Sequence, residues 1–367
     1  MRGRHGGALG GKGVPWKAIA RGIGVAAMAA FMGGLGGACR SGTGDFLRET
    51  REVYAGIPAE ITFAVPEGRG EEARRWMAAC WEEVERVGRV VNAFSADSEV
   101  GRLNAARKTD PWPLSGELAG LLQRCRQVFE ATSGAFDPTV WPLKQVFRQA
   151  RTEGRLPDPQ RLAEARDRVG MGRVHLDGDR VRFEVPEAAL DLGGIAKGHA
   201  VDRVVEFLEG QGVTRYLVRI GGEIGASGTS PQGRPWRIGV QHPRIPGQPI
   251  GVLEVPGRVF VSTSGPYEQP VVIGGQVFHH VFDPRTGEPA PLDVLGVTVV
   301  SRAGPREGAR VDALATGLAV LGPTEGLAVA SREGVDALFL VAGPGDSITT
   351  RATPGMEVIY RPLGDTR

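Results

Sequence analysis

The stretch Leu190 to Val204, LDLGGIAKGHAVDRV, carries side chains suited to binding an anion. Lys197 lies one helical turn before Val201, which opens the apolar face of a predicted helix. The glycines at 193–194 precede that helix and would let a ligand approach the backbone closely. Free N–H groups at a helix N-terminus beside a lysine favour a phosphate-bearing ligand. The alternative is a lysine that only pairs with Asp191 or extends into solvent.

A carboxylate and a hydroxyl near the C-terminus form a second candidate group. Asp312 and Thr316 stand one turn apart beside the apolar face of a helix predicted over 310–321. Two oxygens on one helix edge, next to a phosphate site, suit a hard cation such as Mg²⁺. The alternative is an aspartate favoured by the helix dipole and a threonine bonded to the preceding turn. If Lys197 and this pair converge, the first interpretation is favoured.

The pattern of helices and strands determines how these groups are positioned. Consecutive short strands joined by Pro/Gly turns are predicted from 236 to 282, which favours a largely antiparallel sheet. The fold class is therefore α+β, a largely antiparallel mixed sheet with flanking helices, in one mature domain of one or two lobes. The other predicted elements are helices 71–91, 116–132, 159–169 and 324–332, strands 294–301, 337–341 and 357–360, a polar loop 92–104 and a charged loop before Pro159.

Composition limits the classes of partner. The chain has 367 residues, of which 41% are hydrophobic and 23% are charged, and these shares are ordinary for a soluble globular protein. Its net charge of +2, with both signs interspersed, provides no field that would attract a polyanion. No nucleic-acid partner is therefore predicted.

The first 39 residues are predicted to be an export signal of the lipoprotein type. A basic start is followed by an apolar run over 23–35, which is shorter than the roughly 20 residues that a membrane span needs. Gly37 and Ala38 precede Cys39 as in a lipoprotein cleavage site, although Leu35 is one position too far from the cysteine. We expect a protein on the periplasmic side of the inner membrane, lipid-anchored at Cys39, with plain secretion as the alternative. A linker, 40–52, would precede the folded domain, 53–362.

Seven motifs then occur in order: SADSEVGRLN, SGAFDPTV, LDLGGIAKGHAVD, IGGEIGASG, STSGPYE, HHVFDPRTG and DALATGLAVLG. Together they closely resemble the FAD:protein FMN transferase (ApbE-like) family over about residues 54–322. The resemblance implies a T-fold-like flavin transferase fold and a transferase domain over 53–362. It also implies FAD as the substrate, Mg²⁺ as the metal, and an acceptor flavoprotein with a Ser/Asp-Gly-x-Thr type motif as the partner.

The resemblance further implies which residues bind the ligands. Positions implied to bind FAD are Ala55, Phe94, Ala135, Phe136, Asp137, Asp191, Lys197 and Val281. Implied metal ligands are the Gly194 carbonyl, Asp312 and Thr316. The family commonly has methionine where Ala55 stands and often tyrosine where Phe94 stands, so ring stacking can persist while a hydroxyl contact is lost. Asp137, held extended by the following proline, is expected to display its carboxylate, with a simple Asp-Pro turn as the alternative.

The implied reaction moves FMN from FAD to a threonine hydroxyl of the partner and releases AMP. Such a transfer needs the diphosphate charge neutralised and the attacking oxygen aligned. Mg²⁺ on Asp312 and Thr316, beside Lys197, would neutralise charge. His280 is the hypothesised base, with His279 as the alternative, so the catalytic set is His280, Lys197 and Asp312. Two other functions stay open: a metal-dependent FAD pyrophosphatase, and a non-catalytic lipoprotein that binds FAD.

Overall fold

The structure is a computed structural model that describes residues 40–41, 44–54, 56–106, 109–265, 271–273, 276–278, 281–288, 290 and 293–364. Its helices are α1 (Gly70–Val91), α2 (Glu99–Ala105), α3 (Gly116–Ala131), α4 (Trp141–Glu153), α5 (Pro159–Arg166), α6 (Ala196–Gly210), α7 (Gly308–Arg332) and α8 (Pro354–Ile359). Its strands are β1 (Arg40–Ser41), β2 (Gly44–Val53), β3 (Ile57–Ala64), β4 (Trp112–Pro113), β5 (Val174–Asp177), β6 (Arg180–Phe183), β7 (Tyr216–Ile220), β8 (Glu223–Ser227), β9 (Arg237–Gln241), β10 (Pro249–Glu254), β11 (Val259–Ser264), β12 (Val271–Ile273), β13 (Gln276–Phe278), β14 (Val294–Ser301), β15 (Asp336–Ala342), β16 (Ile348–Ala352) and β17 (Tyr360–Pro362).

A nine-stranded sheet forms the framework of the molecule. Its strand order is β1-β2-β3-β7-β8-β11-β14-β15-β16, and every neighbouring pair is antiparallel. Smaller sheets have the orders β17-β10-β9, β12-β13 and β4-β6-β5. The predicted α+β class, with a largely antiparallel sheet and flanking helices, is therefore confirmed.

Alternate residues of the central strands enter two different cores. In β11, Phe260 joins the core beneath α1, α6 and α7, whereas Val259 and Val261 join the core beneath β9, β10 and α8. In β15, Phe339 joins the first of these cores and Leu338 joins the second. Successive side chains of a strand point to opposite faces, so both faces of this sheet are buried.

Helices α6 and α7 touch through glycine residues. A Cβ atom added to Gly198 would lie 2.1 Å from the Gly308 carbonyl oxygen, and one added to Gly308 would lie 2.5 Å from the Gly198 carbonyl oxygen. The Asp202 carboxylate accepts hydrogen bonds from the N–H groups of Gly308 and Ala309, at 2.7 and 2.9 Å. These N–H groups have no hydrogen-bond partner within α7. Asp202 supplies the missing acceptors and so holds the start of α7 against α6.

Helix α7 is long and apolar enough to cross a membrane, but its apolar face belongs to the protein core. Val311, Leu314 and Leu318 are fully buried there. Gly322 adopts a φ of 73°, which interrupts the helix just before Pro323. The two consecutive helices that the sequence predicts are therefore the two halves of α7.

The segment predicted as a linker, 40–52, is instead mostly strand β2. This strand pairs with β3 from Phe46 opposite Ala64 to Val53 opposite Ile57. Its charged side chains find buried partners in the fold: Arg48 pairs with Glu60 at 3.0 Å, and the Trp81 indole N–H donates to Glu49 at 2.9 Å. The prediction was wrong because a polar edge strand lacks the strict alternation that identifies a half-buried one.

Three shorter elements also differ from the prediction. The charged loop before Pro159 contains helix α4, and the strand predicted over 357–360 is mostly helix α8. Helix α2 lies inside the predicted polar loop, where the Ser98 hydroxyl accepts a hydrogen bond from Gly101 N at 2.8 Å. Helices α2 and α8, of seven and six residues, contain too few apolar residues for a clear helical period. Helix α4 has 13 residues and does carry an apolar face with Leu143, Phe147 and Ala150 at helical spacing, which the interpretation as a charged loop overlooked.

The glycine crossing of α6 and α7 gives a stability prediction. We expect Gly198→Ala to lower the free energy of unfolding by about 3 kcal/mol or more, because the new methyl group meets backbone atoms that cannot move aside. Gly210→Ala is the matched control in the same helix, since a Cβ atom there meets nothing within 4 Å. Denaturant titration measures both. Equal effects of the two substitutions would contradict the close crossing.

Candidate active site

Lys197, Glu223 and Asp312 meet where α6 and α7 begin. The Lys197 Nζ atom lies 3.6 Å from Glu223 Oε1 and 3.9 Å from Asp312 Oδ1. It also donates a hydrogen bond to the Gly193 carbonyl oxygen at 3.3 Å. The predicted convergence of the lysine with the aspartate of α7 is therefore present.

Both carboxylates in this group are buried. Asp312 is 1% exposed and Glu223 is 2% exposed. Burial raises the pKa of Asp312, and the Lys197 charge and hydrogen bonds with Gly198 and Glu223 oppose that rise. Among the described ion pairs at this position, one ammonium group faces two carboxylates. Additional positive charge would stabilise both carboxylates in their ionised form.

Two of the predicted metal ligands, Gly194 and Thr316, lie side by side, and Asp312 stands one turn before Thr316 on α7. A Cβ atom on Gly194 would come within 2.9 Å of Thr316 Oγ1. The backbone at Gly193 and Gly194, here called the glycine turn, therefore lies directly against the threonine of α7. Thr316 donates a hydrogen bond to the Asp312 carbonyl oxygen at 3.3 Å, which leaves its lone pairs available as acceptors. The described residues contain no group of three or more His, Cys, Asp and Glu that could hold a metal. A carbonyl, a hydroxyl and one carboxylate are a different donor set, and it fits a hard cation that also takes oxygens from its ligand.

The segment that leads into the glycine turn is held by two partners. The Asn104 side-chain amide exchanges two hydrogen bonds of 2.8 Å with the backbone of Leu190. Asp191 accepts a hydrogen bond from Gly193 N at 2.8 Å and forms an ion pair with Lys144 of α4. Helices α2 and α4 therefore fix the turn that precedes α6.

Three of the residues implied to bind FAD lie in the core behind the glycine turn. The Phe136 ring is 3.4 Å from the Cβ position of Gly194. Ala135 and Val281 belong to one small apolar cluster. The motif SGAFDPTV, which contains Ala135, and the motif HHVFDPRTG, which contains Val281, therefore lie beside each other, close to the glycine turn.

Asp137 is buried, contrary to the expectation of a displayed carboxylate. Its Oδ1 accepts hydrogen bonds from the Thr139 amide at 2.8 Å and the Thr139 hydroxyl at 2.6 Å, and its Oδ2 accepts one from Met171 N at 2.9 Å. Burial raises its pKa, and these hydrogen bonds oppose the rise. A buried carboxylate must be hydrogen-bonded, and the turn after Pro138 supplies the donors.

Phe94 is the opposite case, a large apolar side chain that is 68% exposed. Its ring lies edge-on to Trp141, with centroids 4.8 Å apart, and the Arg148 guanidinium lies 5.7 Å from its centroid. Such an exposed ring can stack on a planar ligand. Ala55, His280 and its alternative His279 lie outside the described residues, so their roles stay predictions.

Two cavities border other parts of these motifs. One of about 450 Å³ is lined by Gly134, Asp137 and Arg285 among other residues. The second, of about 520 Å³, is lined by Tyr54, Asn92 and Ser98 among others. Lys197 and Asp312 line neither cavity. The charged group and the cavities are therefore distinct features of the described surface.

Comparison with known proteins identifies the family. The sequence matches the ApbE family over residues 55–339. The chain belongs to this family. A FAD:protein FMN transferase of Vibrio cholerae is 32% identical over 261 residues, which cover 70% of this chain and 77% of that relative. Among solved structures, the flavin transferase ApbE of Vibrio cholerae superposes with a TM-score of 0.75 at 27% identity and covers 86% of this chain and 99% of that one.

A further ApbE structure, the apo flavinyl transferase of Pseudomonas stutzeri, gives a TM-score of 0.73 at 30% identity, with 86% of this chain and 96% of that chain covered. The curated relatives are transferases by name, and the fold is that of the ApbE flavin transferases. The family and the fold class expected from the seven motifs are thus confirmed.

Two site residues of this ApbE protein were missed from the sequence. Glu223 stands in the quoted motif IGGEIGASG, where a single carboxylate in a glycine-rich turn was a usable signal. Lys144 was missed because α4 was taken for a loop. Pro142 near the start of α4 is a helix-start signal that supports its assignment.

The start of α6 depends on a charged cluster that gives a pH prediction. Glu117 of α3 accepts hydrogen bonds from Arg86, one of them at 2.9 Å, and lies 2.8 Å from His199 Nε2. Burial would raise the pKa of Glu117, but the hydrogen bonds with His199 and Arg86 outweigh it and lower this pKa to about 2. Ionised Glu117 therefore contributes stability above its ordinary pKa of 4.5, and this contribution is lost as the pH falls towards 2.

We expect Glu117→Gln to lower the free energy of unfolding at pH 7 by up to about 3 kcal/mol. The difference from the wild type should shrink as the pH falls from 4.5 towards 2. Denaturant titration at several pH values measures it, with Glu187→Gln at an exposed position as the control. A difference that stays constant over this range would show that the charge of Glu117 is not its source.

Proposed function

We propose that the protein is a FAD:protein FMN transferase that moves FMN from FAD to a threonine hydroxyl of a partner flavoprotein. The observation that carries the proposal is the meeting of Lys197, Asp312 and Glu223 beside the glycine turn. Lys197 and the glycine backbone at 193–194, which a ligand can approach closely, favour a diphosphate at this position, whereas the N–H groups of Gly193 and Gly198 are already bonded to Asp191 and Asp312. The names of the curated relatives support the same activity.

The donor set supports a divalent cation, Mg²⁺ in our proposal. Asp312, Thr316 and the Gly194 carbonyl would hold it, and Glu223 adds a second buried negative charge nearby. A bound Mg²⁺ would supply Lewis-acid charge neutralisation for the phosphate oxygens. Lys197 then adds a fixed positive charge on the same side of the diphosphate.

The proposed reaction needs only FAD and the threonine hydroxyl of the acceptor as reactants. The threonine oxygen attacks the phosphorus of the FMN half of FAD, and a new oxygen–phosphorus bond forms. The bond between that phosphorus and the bridging oxygen breaks, and AMP leaves with the bridging oxygen. The threonine proton passes to a base, for which His280 is proposed because a histidine titrates near neutral pH.

Water in place of the threonine would turn the same site into a FAD pyrophosphatase. No described contact favours water, whereas the relatives are named for transfer to protein. A non-catalytic FAD carrier would need no divalent-cation site. We therefore retain protein flavinylation as the proposed function.

A mass measurement tests the reaction class. The protein is incubated with FAD, Mg²⁺ and a peptide that contains a Ser/Asp-Gly-x-Thr sequence, and AMP is assayed in parallel. We expect the peptide to gain the mass of one FMN less water, with one AMP released for each modified peptide. AMP release from FAD alone at the same rate would indicate the pyrophosphatase, and FAD binding without turnover would indicate the carrier.

Two substitutions test the assigned roles. Asp312→Asn should slow transfer by at least about a hundredfold, because a neutral amide binds a hard cation far less well. His280→Ala should slow it by about 10² or more, and His279→Ala, which removes the alternative base, should leave the rate close to that of the wild type. Transfer by His280→Ala at the wild-type rate would exclude His280 as the base. Thermal melting of each variant checks that it is folded.

We further propose export to the periplasmic side of the inner membrane and a lipid anchor at Cys39. The support is the basic start, the short apolar run and the small residues before Cys39. An anchored enzyme would act on membrane-bound acceptor flavoproteins. If Cys39→Ser left the protein in the membrane fraction to the same extent as the wild type, Cys39 would be excluded as the site of the lipid anchor.

A further inference from the structure

One face of helix α4 joins two parts of the candidate site. Trp141, Lys144 and Arg148 follow one another at spacings of three and four residues, so they lie on the same side of the helix. Trp141 and Arg148 both contact the exposed ring of Phe94. Lys144, between them, reaches Asp191 at the start of the glycine turn. Helix α4 therefore connects the exposed aromatic ring to the charged group.

Two ammonium groups from different helices converge on Gly193. The Lys144 Nζ atom lies 3.8 Å from the position that a Cβ atom of Gly193 would occupy. The Lys197 Nζ atom lies 3.3 Å from the carbonyl oxygen of the same residue. Two positively charged groups therefore lie close to the backbone of this one glycine.

The surroundings of Lys144 leave it accessible to a ligand. Its side chain is 28% exposed, whereas that of its partner Asp191 is 5% exposed. A carboxylate at this position would repel a diphosphate, and Lys144 cancels that repulsion because it lies beside the carboxylate. The charge of the lysine is then directed to the surface where the turn before α6 would receive phosphate oxygens.

We propose that Lys144 is a second lysine that binds the diphosphate of FAD beside Gly193, in addition to Lys197. The inference rests on the proposed function, since it assumes that FAD occupies this site. Lys144 holds the diphosphate from the α4 side and Lys197 holds it from the α6 side. Two charges contributed by different helices restrain the diphosphate at the glycine turn, which orients the bond that breaks.

Equilibrium binding of two flavins tests the proposal. FAD and riboflavin share the ring system, but riboflavin has no phosphate, so only FAD should report a diphosphate contact. Binding is measured by flavin fluorescence with Mg²⁺ present and no acceptor. We expect Lys144→Gln to weaken FAD binding by about tenfold or more, because a charge-assisted hydrogen bond is lost. Lys144→Arg should recover most of this loss, and riboflavin affinity should be unchanged in both variants.

Controls separate this role from a structural one. Arg74→Gln removes one positive charge from an exposed position on α1 and should leave FAD affinity unchanged. An unchanged FAD affinity in Lys144→Gln, or an equal loss of riboflavin affinity, would overturn the proposal. It would also be overturned if Lys144→Gln had no effect in an Asp191→Asn background, because the lysine would then act only on Asp191. A wild-type protein that binds no FAD would instead refute the proposed function itself.

Discussion

The structure depends on the contact between the backbones of α6 and α7 at Gly198 and Gly308. No side chain fits at this crossing, so the two helices approach until peptide groups of one touch the other. The Asp202 carboxylate completes the contact from α6, since it takes the free N–H groups at the start of α7. Asp312 completes it from α7 and accepts a hydrogen bond from Gly198 N at 2.9 Å. Each helix thus supplies a carboxylate to backbone donors of the other.

The same contact creates the chemistry of the site. Because α6 and α7 start at one place, Lys197 and Asp312 cannot separate without breaking the crossing. Glu223 enters at the first residue of β8, directly after the turn that follows β7. The sheet carries one charge of the group, and the two helices carry the other two. The result is a buried, negatively charged group under a glycine turn, a combination that suits a cation and a phosphate ligand together.

The outer parts of the site come from weakly patterned segments. Helix α2 orients Leu190 through Asn104, and helix α4 brings Trp141 to Phe94 and Lys144 to Asp191. Helix α2 contributes Val100 and Leu103 to the main core, and the buried residues of α4 pack in smaller clusters beside it. The candidate site is completed here by elements that contribute less to the central packing, supported by a sheet that is buried on both faces.

The sequence by itself determined the family, the α+β class and the local identity of the main groups. Lys197 heads an apolar helical stripe and Asp312 and Thr316 share a helix edge, and these are short-range patterns that one chain segment carries in full. Only the tertiary structure decided that Glu223 joins Lys197, that Lys144 pairs with Asp191, and that Asp137 is buried. These contacts join residues that are distant in sequence, and no periodicity within a segment encodes its distance from another. The linker interpretation of 40–52 was wrong for a different reason, because β2 forms a local hairpin with β3 but its polar sequence lacks the alternation that identifies a half-buried strand.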